Sequence, residues 1–405
     1  MSAARPGARA KAAAMRWAPS IGAGAYDDSG GLCSLRRMTD LDDRTDRRAR
    51  ARAALTMPGL TGRRGLWLVG AAAVAFFVVY LLIPRLAGLE DTWRRIENGS
   101  PWWLGAGVAL EAISYVGYAW NMAAVSAAGG VRLGVWRSTQ ITLAATAASR
   151  LLAAGGAGGV ALTTWALARA GHGAKGAVRQ VSSHLVATYA VFMAGVILCG
   201  MGLAIAGADP LLTALPAVIA ALIVALFAVA IQAPDALRRR LTKGARWQQR
   251  LLAAPQALSD GTRFTLQLVV DREKGLLGTV VWWAFDIATL WACFWAFDGH
   301  PPVFELVMAY LLGMLGNLLP LPGGIGGVEG GMVGACAGFD IDASTALVAV
   351  LAYRTISVWL PALPGVLALA TLRRAAESAD AVQLGGGPGP DDTSVSPAPA
   401  RERTP

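Results

Sequence analysis

Six apolar runs, at residues 65–83, 102–126, 181–206, 211–232, 276–297 and 344–372, come close to or pass the roughly twenty residues an α-helix needs to cross the hydrocarbon of a bilayer. Few other features restrict a fold so far. Inside lipid every backbone polar group must be satisfied by the protein itself, and a helix does this within its own segment. With 55% apolar residues, 15% charged residues and a mean hydropathy of +0.48, the composition lies outside that of soluble domains. The expected fold class is an all-α, polytopic (multi-pass) membrane protein.

Two further apolar regions, 138–168 and 303–339, are too long for one straight span and short for two. Each holds the same six-residue pattern, GGAGGV from Gly155 to Val160 and GGIGGV from Gly323 to Val328. Glycine clusters break helices, and irregular backbone at membrane depth survives only when buried in protein or lining a wet cavity. Each region therefore predicts a re-entrant helical hairpin. Glycine also lets membrane helices pack closely without any transport role, which is the alternative for either cluster taken alone. Two clusters at matching positions favour a functional interior.

Charge orients the chain. The segment 234–275 carries Arg238, Arg239, Arg240, Lys243, Arg246, Arg250, Arg263, Arg272 and Lys274, whereas 207–210, 298–302 and 339–343 carry no Lys or Arg. Basic loops stay cytoplasmic, which places both termini inside and makes six full crossings. The two hairpins then enter from opposite faces, so the halves 102–206 and 276–372 form inverted repeats, a recurrent transporter design. Residues 84–101 fit this scheme poorly. Arg85, Arg94 and Arg95 fall outside, and with Trp93, Trp102 and Trp103 they suggest an interfacial helix. The net charge of +10 does not imply nucleic acid, because its basic residues sit in tails and one loop and do not interleave with aromatics on a face. Residues 1–64 and 375–405 lack an apolar period and read as disordered tails, the first basic and cytoplasmic. Met38 and Met57 remain alternative starts. The transmembrane domain is 65–374.

Charged residues also stand where lipid tails are expected. Glu111, Asp286 and Arg354 fall within crossings, and Arg150 and Glu329 flank the glycine patterns. Each costs roughly 2.5–3.5 kcal/mol at a helix centre unless paired or hydrated. The expectation is that Asp286 and Arg354 face each other in a polar cavity capped by the Gly323–Gly327 loop, with Glu111 and Arg150 as a second pair. A structural pair fixing helix register is the alternative. His184 reads as a hydrogen-bonded core residue, with a proton relay as the alternative, and Cys199, Cys293 and Cys336 read as packing residues. No metal-ligand spacing and no Ser, His and acid constellation can be picked out. The chain is thus expected to be no enzyme and to need no metal or cofactor.

The run LLPLPGGIGGVEGG from Leu318 to Gly331, with LAYRTISVWLPALPG from Leu351 to Gly365 and WWAFDIATLW around Asp286, resembles the transmembrane flippase-like family named after the membrane region of lysylphosphatidylglycerol synthases. The resemblance covers about 65–374. It implies movement of a lipid or lipid-linked headgroup between leaflets, with Asp286, Glu329 and Arg354 lining the headgroup site. The candidate substrate-binding set is these three with Asn317, Tyr353, Gly323, Gly324, Gly326 and Gly327. Secondary candidates are Glu111, Arg150, Gly155, Gly156, Gly158 and Gly159. The first half departs from the family pattern, with Ala154 opposite Pro322 and Ala161 opposite Glu329, which weakens its polar site. Full-length synthases add a soluble aminoacyl-transfer domain, and that activity is expected to be absent here.

Expected partners are membrane lipids, as a phospholipid or polyprenyl-linked headgroup, in the plasma membrane, with no nucleic acid. No residue pattern specifies a homo-oligomer. The competing reading is a non-transporting scaffold that recruits a lipid- or glycan-modifying enzyme through the basic 234–275 segment, which could also lie on anionic lipid.

Overall fold

The computed structural model describes residues 99–151, 157–232, 246–319 and 324–385, all within one compact unit. The expected tail 1–64, the first crossing at 65–83, the poorly fitting segment 84–98 and residues 386–405 lie outside the described residues. So do Gly155, Gly156 and Gly323, as does the side chain of Arg150.

The described elements are α1 (Pro101–Ala128), α2 (Val135–Leu151), α3 (Ala157–Leu167), α4 (Gly173–Ile205), α5 (Ala214–Gln232), α6 (Arg246–Val270), α7 (Leu277–Ala296), α8 (Val303–Met314), α9 (Gly327–Gly338), α10 (Ala343–Arg354) and α11 (Leu360–Gly385). Short 3₁₀ or π segments link several of them, and no strand occurs among the described residues. Three helical stretches are long and apolar enough to cross a membrane: Ala157–Ile205, Lys274–Ala296 and Ala343–Leu372. The first of these is bent, because Gly171 at φ 120° and Gly173 at φ 64° separate α3 from α4. α1 is 28 residues long, about 42 Å at the α-helical rise. Its mean hydropathy is held down by an inward polar face of Glu111, Ser114, Asn121 and Ser126, all buried.

The described residues of both glycine patterns lie where helices pack, α2 with α3 and α8 with α9. They differ in form. In the first, Gly158 and Gly159 lie buried in the opening turn of α3, and a Cβ on Gly159 would stand 2.6 Å from the Ala145 carbonyl of α2. Packing against α2 explains Gly159. In the second, Gly324 at φ 70° and Gly326 at φ 84° hold a left-handed backbone that only glycine adopts without strain.

α1 and α7 pack along their length. Their backbones approach closely at Gly117 and Gly278, where a Cβ on Gly117 would lie 2.8 Å from the Gly278 carbonyl. Without a hydrophobic drive between helices in lipid, such backbone contact supplies the dispersion attraction. α7 in turn packs on α10, and α8 and α9 lie against α4 and α10 respectively, so α7, α8, α9 and α10 surround one interior. Its apolar core includes Leu290, Phe294, Met308, Val328, Met332, Cys293 and Cys336, each 0% exposed.

Two expectations are corrected. The segment 234–275 is not loop throughout, since α6 occupies Arg246–Val270 and buries Ser259, Thr262 and Thr265 as it packs on α4. The last helix also continues to Gly385, into the region expected to be a tail. Near its start, Pro361 cannot donate to the carbonyl of Ser357 four residues before it. The chain forms a π-helical segment over Thr355–Trp359, and the Ser357 carbonyl accepts the Tyr115 hydroxyl of α1 at 3.4 Å.

Candidate functional site

Asp286 lies midway along α7 and is 4% exposed. It accepts hydroxyls from two helices. Tyr310 of α8 donates a hydrogen bond to Oδ2, and Tyr353 of α10 donates at 3.0 Å to Oδ2 and 3.1 Å to Oδ1. Both tyrosines are fully buried, and a buried phenol needs a polar partner. Tyr353 was expected in the site and Tyr310 was not. The signal for Tyr310 was present in the sequence: a hydroxyl midway along an apolar helix must be satisfied by something.

Arg354, 1% exposed and expected to face Asp286, forms an ion pair with Glu329. Its Nε donates to Glu329 Oε1 at 2.8 Å. Glu329 stands in the first turn of α9 and reaches back with its other oxygen, Oε2, to accept the Gly326 backbone N–H at 2.7 Å. One carboxylate therefore ties the glycine turn to the end of α10. Its negative charge also suits the N-terminal end of α9. Helical geometry explains why Tyr353 reaches Asp286 while Arg354 reaches Glu329. Tyr353 and Arg354 are consecutive, so they point about 100° apart around α10; the phenol faces α7 and the guanidinium faces α9.

Glu111 on α1, also 4% exposed, accepts from Thr289 Oγ1 at 3.3 Å. Thr289 sits about one turn beyond Asp286 on α7, which brings Glu111 to the same interior. The expected Glu111 and Arg150 pair falls on a side chain outside the described residues. Asn317 is exposed beside the turn and donates to the Met314 carbonyl at 3.2 Å, while a Cβ on Gly324 would stand 2.6 Å from its Oδ1. Gly326 and Gly327 form the end of the turn and the start of α9. Thus Asp286, Glu329, Arg354, Tyr353, Gly324, Gly326, Gly327 and Asn317 belong to one region. Gly158 and Gly159 belong instead to the α2 and α3 contact.

Four charged side chains are buried among the described residues, namely Glu111, Asp286, Glu329 and Arg354. Three carboxyls thus accompany one guanidinium. Burying charge at this density is expensive unless each group is paired or hydrogen-bonded, so the cluster restricts what can occupy the interior. No group of three or more His, Cys, Asp or Glu side chains is placed to hold a metal among the described residues.

Each hydroxyl on Asp286 is a testable contribution. Tyr310→Phe and Tyr353→Phe each remove a bond to an ionisable group, worth about 1.5–3 kcal/mol. The double variant is expected to lose more than either single one, read as the thermal unfolding midpoint in detergent.

An all-helical membrane chain with a buried acidic and basic cluster beside a glycine turn is the class that this geometry defines. Residues 67–365 match the model of the lysylphosphatidylglycerol synthase TM region. The chain belongs to that family. Over 104 residues it is also 36% identical to a UPF0104 membrane protein of Methanothermobacter thermautotrophicus, a stretch that makes up 25% of this chain and 30% of that protein. The match therefore spans under a third of that curated relative's length.

Proposed function

We propose that the protein is a multi-pass translocator of the plasma membrane that moves a lipid, or a lipid-linked headgroup, from one leaflet to the other. The observation that carries this reading is the buried Asp286, Glu329 and Arg354 cluster beside an irregular glycine turn. Family membership supports it. Ionisable groups are kept inside a membrane protein at a cost, and here they come from α7, α9 and α10 with backbone freed nearby at Gly324–Gly327.

In this reading the headgroup phosphate draws on Arg354, and a cationic part meets Asp286, where the excess of carboxyls favours positive charge. A phospholipid or a polyprenyl-linked headgroup satisfies that chemistry. The α2 and α3 hairpin and the α8 and α9 hairpin enter from opposite faces as inverted repeats, with both termini cytoplasmic, and rocking between the halves exposes the site to each leaflet in turn. The protein acts as a carrier and not as an enzyme.

The test is leaflet exchange of fluorescent phospholipids in proteoliposomes. Exchange faster than in empty vesicles is expected. A rate equal to empty vesicles would favour the scaffold reading, in which the basic 234–275 segment recruits a partner enzyme. Thiol labelling of Lys175→Cys and Ala343→Cys checks the topology separately, with opposite compartments expected.

A further inference from the structure

A second polar feature lies away from the ion pair, along α4. Gln180, His184 and Thr188 are spaced by four residues, so they share one face with about 6 Å between successive positions. All three are buried, as is Asn121, which meets them from α1. Their polar atoms outnumber their partners. Asn121 Nδ2 lies 2.8 Å from His184 Nδ1, yet Asn121 Oδ1, His184 Nε2, both amide atoms of Gln180 and Thr188 Oγ1 have no hydrogen-bond partner among the described protein groups. Buried polar atoms left in that state are costly, and a row of them needs an explanation.

The chemistry of the row selects its ligand. Whichever way the Asn121 amide and the His184 tautomer are assigned, their mutual bond leaves one donor and one acceptor over. Gln180 offers both, and the Thr188 hydroxyl is either. Phosphate would require donors alone, and a metal cation acceptors alone. Water donates and accepts, and it binds where two to four polar partners converge in a buried place.

The row also has two ends. At one, the Gln180 amide lies against Gly129, near His172. His172 is half-buried, and its Nε2 is 2.8 Å from Ser126 Oγ. At the other, the Thr188 carbonyl accepts the Trp283 indole N–H at 2.9 Å. Trp283 lies about one turn before Asp286 on α7, and its ring sits edge-on to Tyr310, 6.2 Å between centroids. Tyr310 donates to Asp286.

We propose that Gln180, Asn121, His184 and Thr188 hold a file of water molecules inside the bundle, and that this file carries protons between the His172 end of α4 and the carboxyl of Asp286. The Trp283 indole only donates, here to the Thr188 carbonyl, and cannot pass a proton, so the Trp283 and Tyr310 rings act as a gate: when they part, a protonated water at the Thr188 end gives its extra proton to the Asp286 carboxylate and returns to neutral water. Titratable and charged groups facing Asp286 are Tyr310 from α8, Tyr353 from α10, and Glu111 from α1 through Thr289, with Glu329 and Arg354 beyond. Tyr118 faces His184 from α1, 4.4 Å between ring centroids. As the energy source of lipid movement the relay rests on the translocator reading; as a water site it does not.

Pulsed hydroxyl-radical labelling of the full chain in proteoliposomes, with trapped pH dye and an imposed proton gradient, tests both parts. Radicals form from bound water, so Tyr118 and His184 are expected to be oxidised while Met308, in the dry core at 0% exposure, is not. Proton uptake is expected above that of empty vesicles and to fall to that level in both His184→Phe and Asp286→Asn. Asp286→Asn should leave labelling of His184 unchanged. His184 as unreactive as Met308 in the wild type overturns the water file, and uptake no greater than in empty vesicles overturns the relay. Lipid exchange measured in the same vesicles keeps the readings apart: exchange without labelling sinks only the file, and labelling with uptake but no exchange sinks only the translocator.

Discussion

Arg354→Ala is expected to lower stability by about 3–5 kcal/mol, because it strands a buried Glu329 without its partner, and to remove lipid exchange altogether. The loss alone would not separate function from structure. A double variant does. Arg354→Met with Glu329→Gln removes both charges while keeping side chains of similar length, and the introduced amide oxygen can still accept the Gly326 N–H that Glu329 now holds at 2.7 Å. Replacing a buried ion pair by neutral groups is often close to neutral for stability. The double variant should therefore regain most of the lost unfolding midpoint and none of the exchange. Should exchange return along with stability, the pair would be a register device for α9 and α10, and Arg354 would have no part in binding a headgroup.

That the site contains these charges was legible from the sequence, since Glu329, Asp286 and Arg354 are improbable in apolar runs without a purpose. Their partners were not. Charge alone does not say that Arg354 pairs with Glu329 or that Tyr353 meets Asp286, because that is decided by which face of α10 each residue occupies, and neighbouring positions diverge by about 100°. Tyr310 does not stand out in the sequence because tyrosine is amphipathic and an apolar helix hides it. A hydroxyl counts little in hydropathy and much in a buried interior.

The spans behaved similarly. Runs at 102–126, 211–232 and 276–297 anticipated α1 at Pro101–Ala128, α5 at Ala214–Gln232 and α7 at Leu277–Ala296, since long apolar stretches leave little choice. α6 is not announced by the sequence, for the converse reason. Its buried face is polar, with Thr265 Oγ1 2.9 Å from Ser183 Oγ of α4, so no apolar run announces it. The α4 row shows the same blindness. Gln180 and Thr188 dilute the apolar signal at the very positions where the interior is most unusual, and only the folded packing reveals how many of their polar atoms are unmatched.

Gly316→Ala is expected to separate the α8 and α9 hairpin and to stop lipid exchange, although no charged group is touched. A Cβ at this position would come within 2.5 Å of the Val328 backbone nitrogen and would strike the Gly327 carbonyl group as well. Those atoms are backbone at the start of α9, so the helix itself must move. Overpacking of this kind costs about 1–3 kcal/mol, and the displacement is passed straight to Glu329, two residues on from Gly327. Its bond to Arg354 Nε, now 2.8 Å, then lengthens. Gly334→Ala serves as the comparison. It lies in the interior of the same glycine-rich helix, where a Cβ meets nothing within 4 Å, and removing a helical glycine is worth roughly 0.5–1 kcal/mol. Gly334→Ala should thus unfold at an equal or higher temperature with exchange intact, whereas Gly316→Ala should lose both. If the two variants behave alike, the hairpin tolerates displacement, and the proposed link from the glycine turn through Glu329 to Arg354 is wrong.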